Sequence, residues 1–218
     1  MFLTLPFERY WQAFTDTFMM VSMSGTIALL AGIPLAVLLI ITSPGGFLES
    51  PKINRFFGSI INGFRATPFI VLLVALIPFT RLVAGTTIGI WAAIVPLAIS
   101  ATPFFARIAE VSLREVDAGL IEAAQAMGCK KWHIVRHVLL PEALPGIVGG
   151  FTITLVALIS SSAMAGAVGA GGLGDLAIRY GYQRFDSQVM LIVIAVLIAQ
   201  VTVVQFIGDR YVQRLKNR

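Results

Sequence analysis

Five long apolar stretches that are almost free of charge limit how this chain can fold. They cover residues 17–48, 56–80, 82–106, 143–174 and 187–208, and Arg65 is the only charged residue within them. About 20 apolar residues cross a bilayer, so each stretch is long enough to span one. Only 12% of the residues are charged, against about 25% in soluble domains. The sequence therefore predicts an all-α, polytopic membrane protein with five transmembrane helices in one domain, residues 1–218.

The first residues predict a segment at the membrane surface, before the first span. Phe2, Phe7, Tyr10 and Trp11 give it the aromatic character of a membrane interface. It lacks the basic start and small-residue cleavage site of a removable signal peptide. Asp16 is predicted to be the helix N-cap of the first span.

Basic residues predict the orientation of the chain. With five spans, one side of the membrane holds four Lys or Arg residues and the other side holds twelve. Basic residues accumulate in cytoplasmic loops, so the N-terminus is predicted outside and the C-terminus inside. The net charge of +5 follows from this flanking pattern, and no nucleic-acid partner is predicted.

The polar segment between the third and fourth stretches predicts two short helices. Residues 118–127 are rich in Ala, Leu, Gln and Glu, and Gly128 gives them a C-terminal stop. Residues 132–140 are helical again, until Pro141 interrupts them. Such a polar helix pair between spans is typical of a surface that docks into a partner.

The order of residues in this segment resembles the EAA loop of permease subunits of ATP-binding cassette importers. The pattern is E-A-A, three residues, G, nine residues and I-x-L-P. The matching residues are Glu122, Ala123, Ala124, Gly128, Val138, Leu140 and Pro141, with Val138 where Ile is usual. Residues 163–175 and 179–182 are most similar to the permeases of methionine importers.

The resemblance implies a protein of the bacterial cytoplasmic (inner) membrane that takes part in the import of an amino acid. The amino acid that the resemblance indicates is methionine, in its D- and L-forms. The resemblance also implies a homodimer surrounded by membrane lipid, with the pathway at its interface. Two separate cytoplasmic ATPase subunits would bind ATP, and an extracytoplasmic binding protein would deliver the substrate. The small residues of the E-A-A helix would let it approach each ATPase closely. This chain would bind no cofactor and would not itself be an enzyme.

The source of energy is predicted independently of the resemblance. The chain has no phosphate-binding G-x-x-x-x-G-K-[ST] motif and no Gly-Lys pair, so ATP must be bound elsewhere. Carriers driven by protons or sodium usually need ionisable residues along their path, and the apolar stretches offer only Arg65. Energy is therefore predicted to enter through the cytoplasmic segment.

A glycine-rich stretch follows the fourth span and allows several interpretations. Gly169, Gly171 and Gly174 match G-x-G-x-x-G, but a dinucleotide site needs a preceding strand. Close helix packing through small residues is the general alternative. The functional hypothesis is that this region borders the pathway or forms a dimer seam. For Met164, packing within the protein is the alternative to lining the pathway. The predicted residues are Ser160, Ser161, Met164, Gly169, Gly171 and Gly172.

Two short patterns in the sequence carry no firm prediction of a site. His133 and His137 are four residues apart, a spacing on a helix that can hold zinc, but no carboxylate or thiol completes a convincing ligand set, and no metal site is predicted. The tetrapeptide A-T-P-F occurs at 66–69 and 101–104, which suggests a hinge or an incidental likeness. The functional alternatives are an importer permease for another small organic solute and, in a different class, a gated membrane pore that needs no ATPase.

Overall fold

The computed structural model describes residues 5–217, and within this range the chain consists of helices and the turns that join them. The helices are α1 (Phe7–Thr42), α2 (Pro51–Ala66), α3 (Phe69–Ala75), α4 (Ile77–Ala84), α5 (Ile90–Arg114), α6 (Ala118–Ala126), α7 (Lys131–Ile134), α8 (Leu140–Gly166), α9 (Gly172–Leu176) and α10 (Ser187–Lys216). A π-helical turn, Val135–Leu139, joins α7 to α8, and a second one, Ala177–Tyr182, follows α9.

The long helices confirm the predicted class of fold. Four helical segments are long and apolar enough to cross a membrane: α1, α5, α10 and the continuous helix from Lys131 to Gly166. A fifth span results if α2 and α3, which meet at a bend of 105°, are counted as one broken crossing. The all-helical membrane fold is therefore confirmed, and the number of candidate spans is four, or the predicted five when the bent pair is counted as one crossing.

Small residues bring the central helices together. One stripe of α1 carries Gly25, Ala28, Gly32 and Ala36, all of them buried. A Cβ atom built on Gly32 would lie 2.6 Å from a ring carbon of Phe105 on α5. Without a hydrophobic force between helices in lipid, such close backbone approach is what membrane helices use to associate. The α1, α5 and α8 helices form the core in this way.

The start of the first span differs from the prediction. Residues 1–4 lie outside the described range, and from Phe7 onward the chain is already part of α1. Asp16 lies in the third turn of that helix, so its predicted role as the N-cap was wrong. The apolar stretch begins at residue 17, but helix hydrogen bonding does not depend on hydropathy, and residues 7–16 contain no helix breaker.

The second span is broken where a single helix was expected. The chain leaves the helical path at Thr67, and Pro68 precedes α3. Proline lacks the backbone N–H that an uninterrupted helix needs, and its ring disfavours the helical conformation of the residue before it. The side chain of Asn54 donates a hydrogen bond of 2.7 Å to the carbonyl of Leu39, which lies on α1. This hydrogen bond fixes the start of α2 against α1.

The third span extends eight residues beyond its predicted end at Ala106 and includes charged residues. Glu110 is 2% exposed, and its two carboxylate oxygens accept hydrogen bonds from Arg107 and Arg114, each at 2.6 Å. The expectation that only Arg65 would be charged within the spans was therefore too strict. A buried carboxylate is tolerated here because both of its oxygens are paired.

Candidate functional site

The first half of the predicted docking segment is a short helix that is capped at both ends. Asp117 accepts a hydrogen bond from the Gly119 amide at 2.6 Å and begins α6. At the other end, the Gly128 amide donates to Gln125 and the Cys129 amide donates to Ala124, which is the Schellman arrangement. Gly128 has a φ of +75°, as its predicted role in ending this helix requires. These caps fix the length of α6 and the direction in which the chain leaves it.

Pro141 had suggested that the second half of the segment is a separate short helix, but the structure shows no such separate helix. The helix that begins at Lys131 continues through Pro141 to Gly166. The amide of Leu140 donates to the carbonyl of Val135, five residues back, and this wide π-helical turn lies directly before Pro141. We attribute the continuity to this turn, which provides room for a proline ring that would clash in a regular helix. The prediction of a break at Pro141 was wrong.

Side-chain burial divides the E-A-A residues between two faces of α6. Glu122 and Ala123 are exposed, whereas Ala124 is 2% exposed and packs inside the chain. The small side chain of Ala124 thus lets α6 lie close to its own protein. Leu120 and Met127 are 45% and 76% exposed and lie three residues before and four after Ala123. This outward stripe was not predicted, although the spacing of one helix face in the sequence could have indicated it.

The other matched residues lie along the helix that follows. Val138 and Leu140 are half-buried and Pro141 is exposed. The ammonium of Lys131 donates a hydrogen bond to the Phe47 carbonyl at 2.6 Å, which links this segment to the turn after α1. A cavity of about 600 Å³ lies between that turn, the end of α5 and α6, and Glu122 and Gln125 are among the residues that line it.

Two histidines lie on the same outward side of the helix. The rings of His133 and His137 are stacked with their centroids 5.9 Å apart, and both residues are exposed. Within residues 5–217, no carboxylate or thiol joins them in a group of three possible metal ligands. Trp132, beside them, is 64% exposed.

The glycine-rich stretch packs within the chain. Gly169, Gly171 and Gly172 all have positive φ values of 92°, 85° and 77°. The carbonyl of Gly169 accepts from the Gly89 amide at 3.0 Å, and Gly172 is buried against Thr17 and Met20 of α1. The amide of Leu173 donates to the Thr17 hydroxyl at 2.9 Å. These contacts agree with the packing alternative, and no strand precedes the stretch in the described part of the chain.

Ser160, Ser161 and Met164 lie near the end of α8 but border different spaces. Ser160 lines a groove between α8 and α10, together with Leu197 and Thr202. Ser161 lines a separate cavity of about 220 Å³ between α2, α3, α5 and α8. Met164 is 52% exposed, so it is not packed in the core of this chain.

The cavity beside Ser161 brings together the two copies of the A-T-P-F tetrapeptide. Thr67 and Phe69 of the first copy and Ala101 and Phe104 of the second copy line it, and so does Arg65. No pattern in the sequence predicts this cavity, because it depends on the break in the second span and on the packing of four helices, α2, α3, α5 and α8.

Comparison with known proteins gives the family. Residues 28–217 match the model of the family described as "Binding-protein-dependent transport system inner membrane component". This chain belongs to that family. Its members are inner membrane components of transport systems, which confirms the predicted location in the cytoplasmic membrane and the predicted class of transport subunit.

The relatives are permeases of methionine transport systems. A probable D-methionine transport system permease protein MetI from Vibrio cholerae is 51% identical over 208 residues, which cover 95% of this chain and 91% of that protein. The methionine import system permease protein MetP of Bacillus subtilis is 42% identical and covers 79% of this chain and 78% of its own length. The resemblance to methionine importer permeases is thereby confirmed.

Solved structures agree with the sequence relatives. An inward-facing structure of the MetNI methionine ABC transporter superposes with a TM-score of 0.94 at 47% identity, covering 96% of this chain and 97% of its own chain. An amino acid ABC transporter shares the fold with a TM-score of 0.78 at 21% identity, covering 97% of this chain and all of that chain. The fold of this permease is thus that of the membrane subunit of ABC transporters.

Proposed function

We propose that this chain is the membrane-spanning subunit of an ATP-binding cassette importer for methionine. The observation that carries the proposal is the 51% identity to a D-methionine permease over 95% of the chain. Two copies of the chain would enclose the pathway, two separate ATPase subunits would bind and hydrolyse ATP, and an extracytoplasmic binding protein would deliver methionine. The chain itself would hold no cofactor.

The outward face of α6 would contact the ATPase. Exposed Leu120, Ala123 and Met127 form an apolar stripe with a small residue at its centre, which suits insertion into a cleft of a partner. The two caps of α6 and the hydrogen bond from Lys131 to Phe47 hold this stripe in a fixed position. A fixed contact surface is needed if movement of the ATPase is to displace the membrane helices rather than the loop alone.

A continuous helix would transmit this displacement to the pathway. The helix from Lys131 to Gly166 has 36 residues and is about 54 Å long, so it joins the docking segment directly to Ser161 and Met164. The π-helical turn at Val135–Leu139 gives it one place where bending is easier, since regular hydrogen bonding is interrupted there. Movement at the docking segment would thus reach the outer end of α8.

An uptake competition assay tests the proposed substrate. The chain is expressed with its ATPase and binding protein in bacteria that lack their own methionine importer, and uptake of labelled L-methionine is measured. We expect unlabelled L- and D-methionine to compete and leucine, histidine and arginine to compete weakly or not at all. Uptake of another solute without competition by methionine would assign the chain to an importer for that solute and overturn the proposal.

A further inference from the structure

We propose that the C-terminal end of α10 binds an anionic phospholipid of the adjoining membrane leaflet. The phosphate of the headgroup would lie at Arg210 and Arg214, and an acyl chain would lie along the apolar turns that precede them. This inference goes beyond the proposed function and does not depend on which solute the permease imports. Six residues form the site, called the lipid face below: Val203, Phe206, Ile207, Arg210, Tyr211 and Arg214.

The lipid face is one continuous and exposed side of α10. Its residues follow one another at spacings of three and four, which places them on the same side of a helix. The four residues without charge are 56–61% exposed, and both arginines are exposed as well. Exposed apolar surface of this extent marks a contact with a membrane or a partner.

The opposite side of the same turns packs against α8. Gly208 is buried, and a Cβ on it would overlap the side chain of Thr152. Val212 lies one turn further along, and one of its methyl carbons is 3.8 Å from the place where a Cβ of Gly149 would be. This packing fixes which way the end of α10 faces, so the lipid face points away from the body of the chain.

The apolar length of α10 places the arginines at the membrane surface. Residues 187–208 carry no charge, and at about 1.5 Å per residue they extend about 33 Å, close to the hydrocarbon thickness of about 30 Å. Phe206 therefore lies at the edge of the hydrocarbon, and Arg210 lies at the level of the headgroups. Arg214 follows one turn beyond, and Tyr211 between them is of a residue type that is enriched at membrane surfaces.

The two arginines present positive charge that this chain does not neutralise. The ion pairs among residues 5–217 include neither Arg210 nor Arg214. Asp209, the only acidic residue of α10, lies about 100° round the helix from Arg210. The guanidinium of Arg210 lies 4.9 Å from the centre of the Phe206 ring, which orders it before a ligand binds. Arginines four residues apart are neighbours on a helix, so both can donate hydrogen bonds to one phosphate.

The order of apolar and basic residues along the lipid face favours a phospholipid over other occupants. A soluble anion could bind the arginines but would leave the apolar turns before them uncovered. A second copy of the chain, related by a two-fold axis through this face, would bring the same arginines together, and like charges repel. An anionic phospholipid covers both parts at once. The basic residues of the chain predict that α10 ends at the cytoplasmic leaflet, which carries such lipids.

Native mass spectrometry of the purified complex of permease and ATPase tests the site. The complex is stripped of lipid in detergent and titrated with phosphatidylglycerol, which is anionic, or with phosphatidylethanolamine, which has no net charge. We expect the parent to bind phosphatidylglycerol more tightly, and Arg210→Gln and Arg214→Gln each to weaken this binding about fivefold. Lys216→Gln is the matched control, because exposed Lys216 carries the same charge about 160° round the helix from Arg214. It should bind the lipid like the parent.

Several results would overturn the site. Equal binding of the two lipids by the parent would do so without any variant, and so would parental binding of phosphatidylglycerol by both arginine variants. An equal loss in Lys216→Gln would show a general attraction to the end of the helix, and displacement of the lipid by excess inorganic phosphate would show a site for soluble anions. A disulfide between two copies of Ile207→Cys, in a Cys129→Ser background, would place a second copy on this face. Copurified ATPase checks the assembly of each variant, and if one arginine variant fails to assemble, the other decides.

Discussion

At the scale of single residues, Gly128 is constrained by its backbone and not by its neighbours. Its φ is +75°, and no atom lies within 4 Å of the place where a Cβ would be. A side chain would therefore have ample space but an unfavourable backbone conformation, at about 1–2 kcal/mol for most residues. Asparagine tolerates this conformation better than other residues, and a β-branched residue tolerates it poorly.

This difference predicts opposite results for two substitutions at Gly128. Gly128→Asn should keep most of the copurifying ATPase and most of the methionine uptake. Gly128→Val should misdirect the chain after α6 and lose both, while insertion in the membrane stays normal. Copurification and uptake measured on the same membranes test this. Equal activity of the two variants would show that the turn does not depend on a left-handed residue.

At Gly174, a larger side chain is excluded by neighbouring atoms and not by the backbone conformation. A Cβ on Gly174 would overlap the backbone of Ala163, which belongs to α8 and cannot move as a side-chain end would. We expect Gly174→Val to lower the midpoint of thermal unfolding in detergent by several degrees, because overpacking costs about 1–3 kcal/mol. Gly58→Ala is the control, since nothing lies within 4 Å of its Cβ position. A parental midpoint for Gly174→Val would contradict the close approach of α8 and α9.

At the scale of elements, α6 separates a packing face from a docking face. Ala123 points outward, and Ala124, its neighbour, is 2% exposed. Ala123→Asp should leave thermal stability unchanged and reduce copurification of the ATPase by tenfold or more, about 1.4 kcal/mol of binding free energy. Ala124→Asp should instead destabilise the protein, because its carboxylate would be buried without a partner. Loss of stability in Ala123→Asp, with normal stability in Ala124→Asp, would reverse the assigned faces.

The elements also show which local features a sequence can predict. The glycine stop, the helical character of the docking segment and the four unbroken spans were predictable, because periodicity, caps and apolar length act over a few neighbouring residues. The continuity through Pro141 was not, since it depends on a π-helical turn, which no residue pattern identifies. The extended end of α5 was not predictable either, because a hydropathy count places charged residues outside a span. Here Arg107 and Arg114 pair with Glu110, and these ion pairs allow Glu110 to be buried.

At the scale of the whole molecule, the orientation in the membrane remains a prediction that rests on twelve basic residues against four. Cys129 is the only cysteine in the sequence, and it is exposed beside Gly128. An impermeant maleimide should label Cys129 in inverted vesicles and leave it unlabelled in intact spheroplasts. A Cys129→Ser variant gives the background in both preparations. Labelling in intact spheroplasts would reverse the orientation.

The candidate pathway shows what a sequence cannot provide at this scale. Ser160 and Ser161 are neighbours in the chain, yet one borders the groove between α8 and α10 and the other borders the cavity with Arg65. Their separation follows from the packing of helices that lie far apart in the sequence. The predicted role of Gly169, Gly171 and Gly172 at a pathway or dimer seam also stays a prediction, since their described contacts lie within one chain.

The central claim is that ATP hydrolysis by a partner drives methionine through this permease, and ATP-dependent uptake tests it most directly. Proteoliposomes carry the permease with its ATPase, and labelled L-methionine enters in the presence of the binding protein. A matched preparation carries an ATPase variant that binds ATP without hydrolysing it. We predict that methionine accumulates against its gradient only with the active ATPase and ATP. Equal methionine entry in both preparations, or without ATP, would identify a passive pore and contradict the account.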